Sequence, residues 1–335
     1  MVRAAIVGLG RWGRILVESV HGKTGDIAFV LAQTRSRAKA EDFCCDKNIA
    51  LVDDFSAVLS DKTIDAVVLA TPHSQHKEQI ERAARAGKHI FVEKPFTLTR
   101  RDAVAALDAV TKAGVVLAVG FNRRFHPNIV ELKTRLDGGR LGEIGSCVGE
   151  HTAFAGMFTP RETWRADPRE SPAGAMTALG IHTVDTMIHL LGRIREVHCI
   201  NARRAAPHID DTTSVMLKFA NGASGLFFAS LATAANYRIA VYGSKGFAEI
   251  LGGSLDDFRF VPAPDSPSAN WTVAPAPEVI HRPGFDLLRA ELTAFAAAIR
   301  KRAPYPVTPD EVLHGVEVFE AIVTSAESGK PVTIN

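Results

Sequence analysis

Over the first 120 residues, short apolar runs alternate with longer amphipathic stretches; the runs occupy residues 3–7, 27–32, 65–70, 89–92 and 115–120. A half-exposed strand alternates polar and apolar positions, so unbroken runs of this length predict parallel strands covered on both faces, with helical crossovers between them. Residues 1–122 are expected to form an α/β domain on a doubly wound parallel sheet. Beyond residue 122 the rhythm changes. Strand-length stretches follow closely at 144–152, 197–202, 214–220, 223–231 and 237–242, the last three separated by turn-rich pieces such as Asn221-Gly222. Helical periodicity returns at 175–191, stopped by Gly192, and at 309–328, closed by Gly329-Lys330-Pro331. Residues 123–335 should form a second, α+β domain with a large, open, mainly antiparallel sheet. The stretch 261–277, rich in Pro, Ser and Ala, is expected to be a surface loop or a broken edge hairpin. Function is expected between the two domains.

Composition narrows the classes. The 39 basic and 37 acidic side chains leave a formal charge of +2, too balanced for a surface that holds nucleic acid or anionic membrane through bulk electrostatics. Cys44, Cys45, Cys147 and Cys199 lack the paired spacing of a zinc site and the density of a disulfide scaffold, which fits a reducing compartment. Cys44 and Cys45 are neighbours whose side chains diverge on a helix, so they read as packing residues. No run approaches the ~20 apolar residues of a membrane span, and Met1 leads directly into a strand. A cytoplasmic protein is expected.

Gly8-Leu9-Gly10-Arg11-Trp12-Gly13 follows the first strand at once and opens a helix running to about Val20. In a G-x-G-x-x-G turn of this kind, the first glycine permits the tight turn and the second lets the backbone approach a pyrophosphate. The third allows close helix–strand packing, and the helix N-terminus faces the phosphates. This is the Rossmann dinucleotide-binding fingerprint in its required context. Thr34 lies 21 residues beyond Gly13, where an NAD enzyme normally carries an acid for the ribose 2′-hydroxyl. Here the chain reads Thr34-Arg35-Ser36-Arg37. A hydroxyl and two guanidinium groups favour a 2′-phosphate that a carboxylate would repel, so NADP(H) is the expected cofactor, with NAD(H) as the alternative.

Phe91-Val92-Glu93-Lys94-Pro95 ends the next-to-last strand of this domain, at the edge where open α/β sheets place ligands. A lysine buried beside a nicotinamide can serve as proton donor or acceptor. Together with the glycine fingerprint and Thr71-Pro72-His73-Ser74-Gln75-His76, the Glu93-Lys94-Pro95 motif resembles the Gfo/Idh/MocA oxidoreductase family. The resemblance continues through Gly120-Phe121-Asn122-Arg123-Arg124-Phe125-His126-Pro127, Trp164-Arg165 and Gly180-Ile181-His182-Thr183-Val184-Asp185, and so covers nearly the whole chain. It implies a Rossmann domain followed by an open sheet whose outer face makes a subunit interface, in a dimer or tetramer. It also implies Lys94 and His182 as catalytic groups. The expected cofactor contacts are Gly8, Leu9, Gly10, Arg11, Trp12, Gly13, Thr34, Arg35, Arg37, Thr71, Pro72, His76, Glu93 and Lys94. Arg123, Arg124, Trp164, Arg165 and His182 are the expected substrate contacts.

One departure stands out: many dehydrogenases of the family carry an aspartate four residues before the histidine, and this chain has Ala178. His182, Asp185 and His189 fall on one helix face, yet they make neither an H-E-x-x-H motif nor a four-ligand zinc set, and no metal is expected. The expected activity is NADP(H)-dependent interconversion of an alcohol and a carbonyl on a sugar, polyol or similar polar metabolite. Two alternatives are a non-catalytic dinucleotide sensor, which retention of Lys94 and His182 argues against, and NAD-assisted glycoside cleavage, which Thr34-Arg35 disfavours.

Overall fold

The structure, a computed structural model, describes residues 1–264 and 275–334. The chain divides into two compact units, Met1–Asn122 with Asp286–Val316, and Arg123–Phe285 with Glu317–Asn335. The first begins with β1 (Val2–Val7), α1 (Arg11–Val20), β2 (Ile27–Gln33), α2 (Glu41–Asp46), β3 (Ala50–Val52), α3 (Phe55–Ser60) and β4 (Ala66–Leu69). It continues through α4 (His76–Arg85), β5 (His89–Val92), α5 (Arg100–Ala113) and β6 (Leu117–Val119). The strands pair in parallel in the order β3-β2-β1-β4-β5-β6. Every residue of β4 is buried, as continuous apolar runs require of strands covered on both faces. The order reverses at β1, which pairs with β2 on one side and β4 on the other, and such a switch point is where doubly wound sheets open a crevice.

The second unit opens with α6 (Pro127–Asp137), β7 (Ile144–Thr152) and α7 (Ile181–Leu191). There follow β8 (Ile194–Ala202), β9 (Thr212–Phe219), β10 (Ser224–Ser230), β11 (Asn236–Gly243), β12 (Gly246–Leu251), β13 (Asp257–Pro262) and β14 (Glu278–His281). The chain closes with α8 (Leu287–Ile299), α9 (Pro309–Ser328) and β15 (Val332–Thr333). The second sheet runs β14-β13-β12-β11-β7-β10-β9-β8-β15, and β7 with β10 is its parallel pair among otherwise antiparallel neighbours. α7 lies close on β7: a Cβ on Gly149 would meet Thr183 Cγ2 at 2.3 Å. The alternate positions Ile200, Met216, Leu226 and Phe228 are exposed. Among the described residues, no helix is long and apolar enough to cross a membrane.

Two features differ from the sequence pattern. The segment 286–316, which a single break at 122/123 assigns to the second domain, packs with the first unit. There Phe295 meets Phe91 edge-on at 5.9 Å, Arg289 Nε donates to Ser19 O at 3.1 Å and the Tyr305 hydroxyl donates to Val119 O at 3.0 Å. The helix expected over 175–191 begins instead with a π turn, Met176–Gly180, before α7. The stretch 261–277 is flanked by paired edge strands, β13 and β14; its residues 265–274 lie outside the described residues.

Candidate functional site

The first unit gathers its fingerprint at the C-terminal edge of the parallel sheet. Gly8 ends β1 with φ +95°, a conformation L side chains rarely adopt, and a Cβ there would meet Ala70 O at 2.5 Å. A Cβ on Gly13 would strike Gly8 O at 2.2 Å, so helix α1 packs on the turn only because that position is bare. Gly10 is different: nothing lies within 4 Å of where its Cβ would be. That open side adjoins the N-terminus of α1, where no side chain caps the first N–H groups. Unused donors facing open space fit a pyrophosphate. Leu9 is buried beneath the turn, Arg11 is exposed and Trp12 is half-buried.

Thr34, Arg35 and Arg37 follow the end of β2. Arg35 is exposed, while Arg37 is held by Asp53 at 2.5 Å and Glu41 at 3.2 Å, so its charge is already opposed. Thr71 follows β4 and donates its hydroxyl to Gln79 Oε1 at 2.6 Å, with half-buried Pro72 beside it. His76, expected among the cofactor contacts, is fully buried instead. Its Nδ1 lies 2.9 Å from Pro95 O and its Nε2 3.2 Å from Thr71 O, so it braces the turn after β4 against the turn after β5.

Lys94 is half-buried at the end of β5, and buried Glu93 accepts its backbone N–H at 3.3 Å. Glu291 of α8 was not signalled by sequence. It is fully buried, and neither carboxyl oxygen has a hydrogen-bond partner. Burial pushes its carboxyl well above the usual carboxylate range, and the charge of Glu93 adds in the same direction. Glu291 therefore keeps its proton to a higher pH than an ordinary glutamate, and below that point it is the neutral acid. Because the folded state holds this proton more tightly than the unfolded chain, where glutamate titrates near ~4.3, stability is fullest below that pH and falls as pH rises towards the folded value. Glu291→Gln removes the titration. Its melting temperature should gain on the wild type by about 3–5 °C per pH unit across that window. A pH-independent difference between the two proteins in thermal melts would contradict a neutral Glu291.

In the second unit, Arg123 and His182 meet around a residue that the sequence pattern missed, His151 of β7. Arg123 Nη2 lies 2.9 Å from His151 Nε2, and His151 Nδ1 lies 3.0 Å from Leu179 O. Arginine only donates and a carbonyl only accepts, so His151 is the neutral Nδ1–H tautomer. Its ring stands 6.1 Å from that of His182 and edge-on to Tyr237 at 5.4 Å, and the Arg123 guanidinium covers the Tyr237 ring at 4.2 Å. The available signal was strand register, since Tyr237 of β11 pairs directly with His151 of β7. Arg124, expected to contact substrate, is committed elsewhere: Nε and Nη2 bind both oxygens of Asp185 at 2.7–3.1 Å, with the pair almost wholly buried. Trp164 and Arg165 form a short 3-10 turn in which the exposed guanidinium stacks on the indole at 4.1 Å.

The chain matches the Gfo/Idh/MocA oxidoreductase family, NAD-binding Rossmann fold, over residues 2–121, and its C-terminal alpha/beta domain over residues 133–334. It belongs to that family, and its class is that of an NAD(P)-dependent oxidoreductase acting on CH–OH groups. It is 29% identical to the inositol 2-dehydrogenase of Rhizobium meliloti, across 99% of both chains. It is 28% identical to the scyllo-inositol 2-dehydrogenase (NAD(+)) of Bacillus subtilis, across 100% of this chain and 96% of that one. The solved structure of levoglucosan dehydrogenase in complex with NADH shares the fold with a TM-score of 0.88 at 21% identity, over 100% of this chain and 99% of that one.

Proposed function

We propose that the chain is an NADP(H)-dependent oxidoreductase that interconverts an alcohol and a carbonyl on a sugar, polyol or similar polar metabolite. The observation that carries this reading is Lys94, half-buried at the end of β5 on the same sheet edge as the open side of Gly10. A bound nicotinamide supplies or accepts the hydride. Lys94 takes the proton from the reacting hydroxyl during oxidation and returns it during reduction, and His182 orients that hydroxyl or relays its proton. Arg123, Trp164 and Arg165 contact the substrate. The named relatives are inositol dehydrogenases, which supports a polyhydroxylated substrate.

The NADP(H) preference rests on this chain's own residues, since one relative is named for NAD(+) and the levoglucosan dehydrogenase complex holds NADH. With Arg37 opposed by Asp53 and Glu41, exposed Arg35 carries most of the attraction to a 2′-phosphate. A charge-assisted contact of this kind contributes ~1.5–3 kcal/mol, so Arg35→Ala should weaken NADPH roughly tenfold to over a hundredfold and leave NADH nearly unchanged. Fluorescence titration of both cofactors checks this. Equal affinity of the wild type for NADH and NADPH would remove the basis for the preference. A homo-oligomer, dimer or tetramer, is proposed through the sheet face bearing Ile200, Met216, Leu226 and Phe228. Met216→Lys should shift the molar mass in light scattering towards the monomer.

A further inference from the structure

Charge in the second-unit cluster does not balance. Arg124 is matched by Asp185, one cation to one anion. Arg123 has no such match: Nη2 donates to a neutral histidine, the guanidinium plane rests on Tyr237, and Nε is buried with no partner at all. Among the described residues, the group whose charge supports the guanidinium is the Tyr237 phenol, which burial itself holds in the neutral form. The acid whose charge reaches Tyr237, Asp185, is already engaged by Arg124. Residues 172–182 contain no acid, and the single acid of α7 is Asp185.

Arg123 is half-buried; a cation that gives up much of its water without gaining an anion is costly, and arginine does not escape by losing its proton. A neutral tautomer of His151, locked between Arg123 and Leu179 O, cannot supply the missing charge. We infer that this cluster takes the acidic group of its substrate, which is a polyhydroxylated carboxylate such as an aldonic or uronic acid. One uncompensated guanidinium calls for one negative charge, which a carboxylate brings, whereas a phosphate monoester brings about −1.5 to −2. The inference deepens the substrate side of the function proposed above, and rests on that reading only for the site's location.

The test is calorimetric titration of the NADP(H)-loaded protein with matched pairs, gluconate against sorbitol and glucuronate against glucose, with a sugar phosphate as a third arm. The acids should bind at least tenfold more tightly than their neutral partners, and more tightly than the phosphate. Arg123→Gln should erase the preference, while Arg123→Lys, which keeps the charge, should retain part of it. Ala178→Asp places a carboxylate on the turn whose Leu179 carbonyl holds His151, and should also erase the preference by supplying the anion from the protein. Equal binding of acids and neutral partners, or a preference that survives Arg123→Gln, overturns the inference, and tighter binding of the phosphate overturns the carboxylate assignment. Nicotinamide absorbance followed in parallel separates the two levels. Acid-selective binding without turnover contradicts the oxidoreductase reading alone, and turnover of neutral polyols without selectivity contradicts this inference alone.

Discussion

Lys94→Ala is expected to lower turnover by ~10²–10⁴-fold, the range that a positioned acid/base group contributes, while NADPH affinity stays within a few-fold. The separation follows from position. The proposed pyrophosphate donors belong to the turn between β1 and α1, whereas Lys94 follows β5 and is anchored through its own backbone N–H to Glu93. Steady-state kinetics and a cofactor titration of the same preparation read the two quantities independently. Parallel loss of both would reassign Lys94 as a cofactor or scaffold anchor.

Asp185→Ala is expected to destabilise the second unit by about 3–5 kcal/mol, because it removes the carboxylate that the buried Arg124 guanidinium grips with Nε and Nη2. Replacing both partners by apolar residues of similar volume, Arg124→Met with Asp185→Leu, should cost far less than the single change. Urea unfolding of the three proteins makes the comparison. A single variant that loses under ~1 kcal/mol would show that the pair does not secure the start of the second unit to α7.

Most of the architecture was legible because its signals are local. Unbroken apolar runs mark β1, β2, β4 and β5, and strand-length stretches set off by turn-rich pieces mark β7, β9 and β10, each within three residues at either end. The glycine fingerprint was legible for the same reason, since Gly8 and Gly13 answer steric demands of one turn and Gly10 leaves its side open. What escaped was set by distant packing. α8 is apolar nearly all round and rich in alanine, so it lacks the amphipathic stripe that announces a surface helix, and its return to the first unit depends on Phe91 and Ser19 far away in sequence. Glu291 reads as an ordinary helix glutamate until its burial is known. Arg124 and His151 are similar cases: the motif marked Arg124 as a substrate contact and nothing marked His151, and only tertiary structure reveals that Arg124 serves Asp185 and that His151 serves Arg123.

The central claim is that this chain moves hydride and proton between a carbon–oxygen centre and a freely exchanging NADP(H). Its most direct test is to incubate purified protein with NADP⁺ and a panel of polyols, sugars and sugar acids, following the absorbance of reduced nicotinamide and quantifying the carbonyl product. The account predicts NADPH and carbonyl formed in equal amounts, with product released and the reaction reversible on adding the carbonyl compound and NADPH. Tight cofactor binding without turnover of any hydroxylated or keto compound would contradict it, as would a substrate cleaved while the bound cofactor never leaves the protein.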